Sequence, residues 1–288
     1  MKTLHRSNIP SFYKYYRSST ELFYEYYKSY SSCKVFKIPL TQDFFHAKKI
    51  FPGFWSIDAI KIDTLPSLGS LKALGISHGI IFWAPLRTSE KPSLWYRLPR
   101  FYAKSHLHSS RSAFCVLDTP EYWKKWSPQA RNHRKHVLQE IQSGIITIES
   151  SQDITRFIEL YAHIEHKNPY RKIVSRMSKK LFENTTQSYR IYFITVDWEV
   201  TAWAIFLDDG DISEYWAACY DRGSSNHHLW VAMMDIWMQE SYTLGIKICD
   251  LDHMRDSGQS KSFKGYTKFK ENFADYDVYF HDMWGKVF

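Results

Sequence analysis

The sequence predicts a mixed α/β protein, with helices flanking a sheet of parallel and antiparallel strands. Three observations carry that prediction. Residues 115–288 alternate helical and strand patterns in an order that a doubly wound parallel sheet does not produce. Three consecutive apolar runs are separated by short turn sequences, as a meander requires. Two helical stretches are bounded by recognisable start and stop signals.

Ser127-Pro128 reads as an N-cap followed by proline in the first helical position, and Gly144 as the residue that closes that helix. Between them Ala130, Val137, Leu138 and Ile141 form the apolar stripe. A short strand is expected at Ile145–Glu149. Asp153–His166 reads as a second helix with Ile154, Phe157, Ile158, Tyr161 and Ile164 on one face, and Ser178–Thr186 as a third. The strands Arg190–Val196, Val200–Leu207 and Ile212–Cys219 follow, with turns at Asp197-Trp198-Glu199 and Asp208-Asp209-Gly210-Asp211. Asn226–Thr243 is a long helix ending near Gly245, and Ile246–Leu251 the next strand. Phe263–Phe273 reads as a short helix and Tyr276–Phe280 as the last strand.

The first part of the chain is less regular. The runs Phe12-Tyr13-Lys14-Tyr15-Tyr16 and Phe23-Tyr24-Glu25-Tyr26-Tyr27 read as one or two aromatic helices, whose rings either pack a core or stack on bases. Strands are expected at Phe54–Ile62 and Gly79–Ala84, and Arg87–Leu98, with Pro92 inside it and Pro99 just after, reads as a loop.

With 288 residues, the chain is long enough for one large domain or two small ones, at roughly 100–200 residues each. A hydrophobic content of 44% with only 11 Gly and 10 Pro excludes a disordered or fibrous chain. The formal charge of +8 is uneven. Residues 1–120 carry 17 Lys and Arg against 7 Asp and Glu, whereas residues 121–288 carry 21 against 23. We therefore divide the chain into a basic N-terminal domain, 1–114, and a near-neutral domain, 115–288. The basic half is either a solubilising surface or the footprint of an anionic partner. Four widely spaced cysteines form neither a C-x-x-C pair nor a disulfide framework. No signal peptide and no apolar stretch of about 18 residues is visible, so a cytoplasmic protein is expected. Peripheral contact with a membrane surface through the basic half stays open.

Three stretches resemble a known family. Trp126-Ser127-Pro128-Gln129-Ala130-Arg131-Asn132-His133-Arg134-Lys135, followed by Ser143-Gly144, looks like a basic helix with a glycine stop. Leu244-Gly245-Ile246-Lys247-Ile248-Cys249-Asp250-Leu251 looks like a passage from glycine to a strand ending in Asp. Phe263-Lys264-Gly265-Tyr266-Thr267-Lys268-Phe269-Lys270-Glu271-Asn272-Phe273 looks like a closing G-(x)-x-x-F-K-x-x-F element. In this order they resemble the Fem-type peptidoglycan-bridge aminoacyltransferases of the GNAT acyltransferase superfamily. The likeness covers roughly residues 115–285. It implies two GNAT-like domains, the N-terminal one divergent. It also implies an enzyme that moves an aminoacyl group from charged tRNA to an amine of a cell-wall precursor, with no tightly bound cofactor.

One departure bears on the donor. GNAT enzymes that use acetyl-CoA carry an R/Q-x-x-G-x-G/A loop, whose amides hold the pyrophosphate at a helix N-terminus. Here that position reads Asp221-Arg222-Gly223-Ser224-Ser225-Asn226-His227-His228, with a single glycine. This argues against ordinary acetyl-CoA use. An N-acyltransferase dependent on acyl-CoA or an acyl carrier and a non-catalytic basic binding module stay open as alternatives.

Acyl transfer to an amine requires positioning, a polarised carbonyl and loss of a proton, but no covalent nucleophile. The absence of G-x-S-x-G fits that requirement. By resemblance, Lys270 stabilises negative charge on the transferred group or on the tRNA end, and Phe269 orients it or packs a base. Lys264 and Lys268 share a helix face near it, a cluster that is otherwise an ordinary solvated surface. Asp252, at a strand end, is a candidate to bind or deprotonate the attacking amine, or simply caps a loop. Arg131, Arg134 and Lys135, beside His133 and His136, are candidates for phosphates of an anionic, amino-bearing acceptor or of the donor. Arg255 pairs with an Asp or binds phosphate, and Tyr215 lines the acceptor groove or packs the core. Metal binding is not expected: no H-E-x-x-H occurs, and the adjacent His227 and His228 must point apart.

Overall fold

A computed structural model describes residues 2–4, 33–38, 44–60, 64–84, 93–98, 111–163, 188–220, 226–255, 263–279 and 283–288. The aromatic runs near residues 12–27, the helix expected at 178–186 and the segment 221–225 lie outside them. The chain forms two compact units. One comprises Met1–Lys2, Ala113–Met254 and Ser262–Asp277. The other comprises Thr3–Ser112, Arg255–Lys261 and Val278–Phe288.

The first unit is built on an eight-stranded sheet of order β1-β13-β7-β12-β11-β10-β9-β8. Its strands are β1 (Lys2–Leu4), β7 (Arg111–Val116), β8 (Ile146–Ser151), β9 (Ser188–Val196), β10 (Glu199–Asp209), β11 (Ile212–Tyr220), β12 (Ile248–His253) and β13 (Tyr276–Tyr279). The helices α2 (Pro128–Gln142), α3 (Ile154–His163), α4 (Leu229–Thr243) and α5 (Phe263–Glu271) belong to the same unit, with a 3-10 turn at Tyr122–Lys125 before α2. The β9-β10-β11 meander forms as its turn residues require. Asp197 and Trp198 both take positive φ, 49° and 72°, which matches the right-handed twist of a two-residue hairpin. Ser127 caps α2 through its Oγ, which accepts from the Ala130 N–H at 3.2 Å. Gly144 takes φ 77° beyond the helix end.

The core of this unit gathers Val137 of α2, Met233, Trp237 and Met238 of α4, and Tyr192, Phe206 and Tyr215 of the sheet. A buried guanidinium ties its elements together. Arg190 of β9 holds Asp208 of β10 through two bonds of 2.7 and 2.8 Å. It also donates to Ser213 Oγ of β11 and to Ser241 Oγ of α4. Three strands and a helix thus share one guanidinium whose donors are met, the condition under which a buried charge is tolerated.

The second unit is a six-stranded sheet of order β2-β3-β4-β5-β14-β6. Its strands are β2 (Cys33–Lys37), β3 (Phe44–Phe51), β4 (Phe54–Ile60), β5 (His78–Ala84), β6 (Tyr96–Leu98) and β14 (Met283–Val287); α1 (Leu68–Ala73) lies between β4 and β5 in the chain. Its core contains Phe45, Ile57, Leu71, Ile81, Trp83 and Trp284.

Several expectations need correction. The segment 87–98 is not all loop, because Tyr96–Leu98 pairs with β14. Tyr276–Tyr279 is not the last strand, because Met283–Val287 forms a further strand in the six-stranded sheet. β14 inserts between β5 and β6, and its Trp284 joins the buried core of that sheet. The long helix begins at Leu229 rather than Asn226, because His228 is left-handed at φ 48°. Among the described residues Cys115, Cys219 and Cys249 are buried free thiols, and burial pushes Cys115 and Cys249 well above the usual thiol pKa. No helix among the described residues is long and apolar enough to cross a membrane.

Close packing at β5 gives a direct check. A Cβ on Gly79 would sit 2.3 Å from the carbonyl oxygen of Trp55, a backbone atom that cannot swing away. Gly79→Ala is expected to destabilise the protein by about 1–3 kcal/mol. Chemical denaturation measures this, and an unchanged midpoint would contradict the packing described.

Candidate functional site

The sheet of the first unit opens between β11 and β12. β11 and β12 run parallel only through Ile212↔Ile248, Ser213↔Cys249 and Glu214↔Asp250. Their shared ladder stops there, although β11 continues to Tyr220 and β12 to His253. A widening between parallel strands at their carboxyl ends is where α/β sheets place ligands. Tyr215 is the first residue of β11 past the ladder. Its ring is buried against Phe206 and Trp237, at centroid distances of 5.7 and 6.3 Å.

Lys270, in the last turn of α5, reaches this ring. Its ammonium lies 5.7 Å from the Tyr215 centroid and 3.8 Å from that of Tyr266. The side chain is 0% exposed. A buried ammonium is costly unless compensated, and the negative faces of two phenol rings supply part of that compensation. The rest of the lysine cluster behaves differently: Lys264 and Lys268 are exposed. Helical geometry therefore separates one inward cation from two solvated ones.

Phe269, one residue earlier, lines a pocket of about 200 Å³. The other walls include His133 of α2, Tyr220 of β11, His228 and Trp230 at the start of α4, and Asn272. The walls are aromatic and connected. Trp230 lies edge-on to Tyr220 at 4.8 Å and 5.5 Å from Phe269, which is 5.1 Å from Phe273. Ser127 ties α2 to the end of α5: its N–H donates to the Asn272 carbonyl at 2.9 Å, and its hydroxyl bonds Asn272 Oδ1 at 2.8 Å.

Histidines border the pocket. The rings of His133 and His228 stack in parallel, 3.7 Å apart and 5° from coplanar orientation, and His136 lies 6.5 Å from His228. His227 meets Glu140 Oε1 at 2.9 Å through Nδ1, further along α2 than His136. Burial, followed by the imidazoles of His133 and His136, holds the His228 pKa below its ordinary value, with Glu140 pulling the other way. A pocket-lining imidazole that stays neutral near pH 7 is able to accept a proton.

Not every candidate comes to this place. Arg134 is committed to the interior: its Nε donates to Asp235 Oδ1 at 2.8 Å, and its guanidinium lies 4.8 Å from the Trp123 ring centre. Tyr122 OH donates to the same carboxylate at 2.9 Å. Arg134 therefore holds α2 to α4 rather than a phosphate. Arg131 is half-buried and donates weakly to the Lys124 carbonyl at 3.4 Å, and Lys135 is exposed on α2. Asp252 is half-buried with φ 67°, and its N–H donates to Oδ1 of the buried Asp250 at 2.7 Å. That left-handed turn is one Asp tolerates better than most residues, so the loop-capping reading of this pair has a local basis. Arg255 belongs to the second unit.

Lys270 and Tyr215 thus sit where β11 and β12 part, while Phe269, next to Lys270 in α5, lines the pocket together with His133. Sequence reading missed Trp230, Tyr220, Tyr266, Asn272 and the role of His228. Tyr266 and Asn272, both inside the closing motif, had a local signal. The others are brought in by the meeting of α4, α5 and β11.

No family model and no curated protein sequence matches the chain. Solved structures do share its fold. The crystal structure of FemX superposes with a TM-score of 0.68 at 10% identity, covering 100% of this chain and 98% of that one. A conserved protein of unknown function from Bacteroides thetaiotaomicron gives 0.59 at 7% identity, covering 99% and 98%. L-PGS from Bacillus licheniformis gives 0.54 at 11% identity, covering 90% and 85%. At these identities the likeness is one of fold. The chain has the FemX fold, built of two mixed-sheet units, the fold that the resemblance in its sequence implies.

The histidine stack predicts a pH effect with a definite sign. The folded state binds a proton at His228 more weakly than the unfolded chain, so stability rises with pH across the window below about 6.5. His228→Gln removes that titration. The parent protein should lose melting temperature relative to His228→Gln as pH falls from about 7.5 to about 5.5. Parallel curves would contradict the lowered pKa of His228 in its stack.

Proposed function

We propose that the protein transfers an aminoacyl or other acyl group to an amine, with the opening of the first unit as its active site. The observation that carries this reading is the buried ammonium of Lys270, held by Tyr266 and Tyr215 where β11 and β12 part. The FemX fold supports it, and so does the match of Phe269-Lys270 to the closing motif of Fem-type enzymes.

The chemistry follows from the parts. As the amine nitrogen adds to the ester carbonyl, negative charge builds on the carbonyl oxygen. A fixed cation in a water-poor site stabilises that charge at little reorganisation cost. The carbon–oxygen ester bond then breaks, and the leaving hydroxyl takes a proton while the new amide nitrogen gives one up. His228, neutral and bordering the pocket, accepts the proton that the amine loses. The aromatic walls made by Phe269, Trp230 and Tyr220 exclude water, which would otherwise hydrolyse the donor, and hold the reactants together. The donor we assign is charged tRNA, and the acceptor an amino compound of cell-wall precursor type that carries anionic groups.

Incubating the purified protein separately with charged tRNA and with acyl-CoA, each with labelled acyl groups and a panel of amines, tests this directly. Transfer from charged tRNA is expected. Transfer from CoA thioesters alone would replace the assigned donor, and no transfer from either would overturn the reading. Lys270→Met, which fills the same space without the charge, should lower the transfer rate by about 10²–10³-fold while the protein remains folded by circular dichroism. An undiminished rate would remove Lys270 from the mechanism.

A further inference from the structure

One end of the six-stranded sheet presents apolar side chains that its core does not use. β3 and β4 are joined by Pro52-Gly53, and Gly53 takes φ 80°, as the third position of a proline-initiated two-residue turn demands. At this tip the rings of Phe51 and Phe54 stack 4.8 Å apart. Phe51 is 55% exposed and Ile50 54%.

Two other segments finish at the same end. β5 begins level with β4, through Phe54↔His78, so Leu74, just before β5, lies there and is 44% exposed. β14 runs antiparallel to β5 and closes with Val287 opposite Ile80; Val287 is 63% exposed. Exposed apolar residues from three segments therefore share one end of the sheet, an arrangement that is rare on a surface facing only water.

The charge around them has one sign. Residues 33–38, 44–56, 68–80 and 283–288 contain six lysines and no Asp or Glu. Lys34, Lys48, Lys49 and Lys72 are exposed, and the Lys34 ammonium lies 5.7 Å from the ring centre of Trp55. An apolar tip with a tryptophan behind it and lysines around it matches the layered polarity of a membrane interface. Nucleic acid would use the lysines but has nothing to gain from exposed isoleucine, leucine and valine.

We propose that this end of the second unit docks on the surface of an anionic bilayer. The Ile50–Phe54 hairpin enters the boundary between headgroups and acyl chains, and Lys34, Lys48, Lys49 and Lys72 lie against lipid phosphates. The proposal rests on the second unit alone and does not depend on the transfer reaction.

Flotation of the full chain with vesicles of phosphatidylglycerol and phosphatidylcholine in equal parts, and with pure phosphatidylcholine, tests it. The parent is expected to float with the anionic vesicles and much less with the neutral ones. The double variant Ile50→Asp/Phe51→Asp should bind at least about tenfold more weakly, with an unchanged melting temperature. Lys48→Glu/Lys49→Glu should also weaken binding and flatten its dependence on salt. Failure of the parent to float, or equal flotation of the hairpin variant, would overturn the proposal. So would binding of tRNA that displaces the vesicles and is lost in the lysine variant but not in the hairpin variant.

Discussion

The first unit depends on how one buried carboxylate is satisfied. Asp235 sits on the inner face of α4, where an unpaired charge would be intolerable. It takes a hydrogen bond from Tyr122 and an ion pair from Arg134. Tyr122 precedes α2 and Arg134 lies on it, so both bonds fix α2 against α4. Removing either donor would leave a buried charge short of a partner, which costs far more than the intact pair contributes. α2 is also tied at its N-cap to Asn272, just after α5. Three helices thus share one frame, and the pocket occupies the space among their ends. The His133–His228 stack, one ring on α2 and one at the start of α4, exists because that frame holds both backbones.

The same frame separates charges by role. Among the basic residues of α2 and α5, Arg134 faces inward to hold the structure, Lys270 faces inward beside the opening, and Lys135, Lys264 and Lys268 face solvent. A run of cations in the sequence is therefore three different things in the fold. Lys270 is singled out by its surroundings, two phenol rings and full burial, rather than by belonging to a cluster. Such a cation acts strongly on charge that develops near it, because little water is present to screen it.

Much of the first unit was legible in the sequence because local chemistry dictated it. Ser127-Pro128 and Gly144 bound α2, and the Asp197-Trp198 turn sets the meander, through backbone rules that need no tertiary partner. Phe269-Lys270 was legible through its motif. The function of Arg134 was not, since an arginine bound to Asp235 about a hundred positions away reads the same as one waiting for phosphate. The fate of residues 283–288 was equally hidden: whether a short apolar run joins one sheet or another is decided by where a partner strand is free, and β14 completes the sheet between β5 and β6. The start of α4 was misplaced because a left-handed histidine, unlike glycine, leaves no mark in the sequence.

The central claim is that an acyl donor is held between the start of α4 and α5, beside Lys270. Photocross-linking tests it most directly, using a charged tRNA whose aminoacyl group bears a diazirine, followed by mapping of the labelled peptides by mass spectrometry. The account predicts label in residues 226–231 and 263–273, reduced by excess unmodified charged tRNA. Label confined to other peptides, and equally competed, would contradict it.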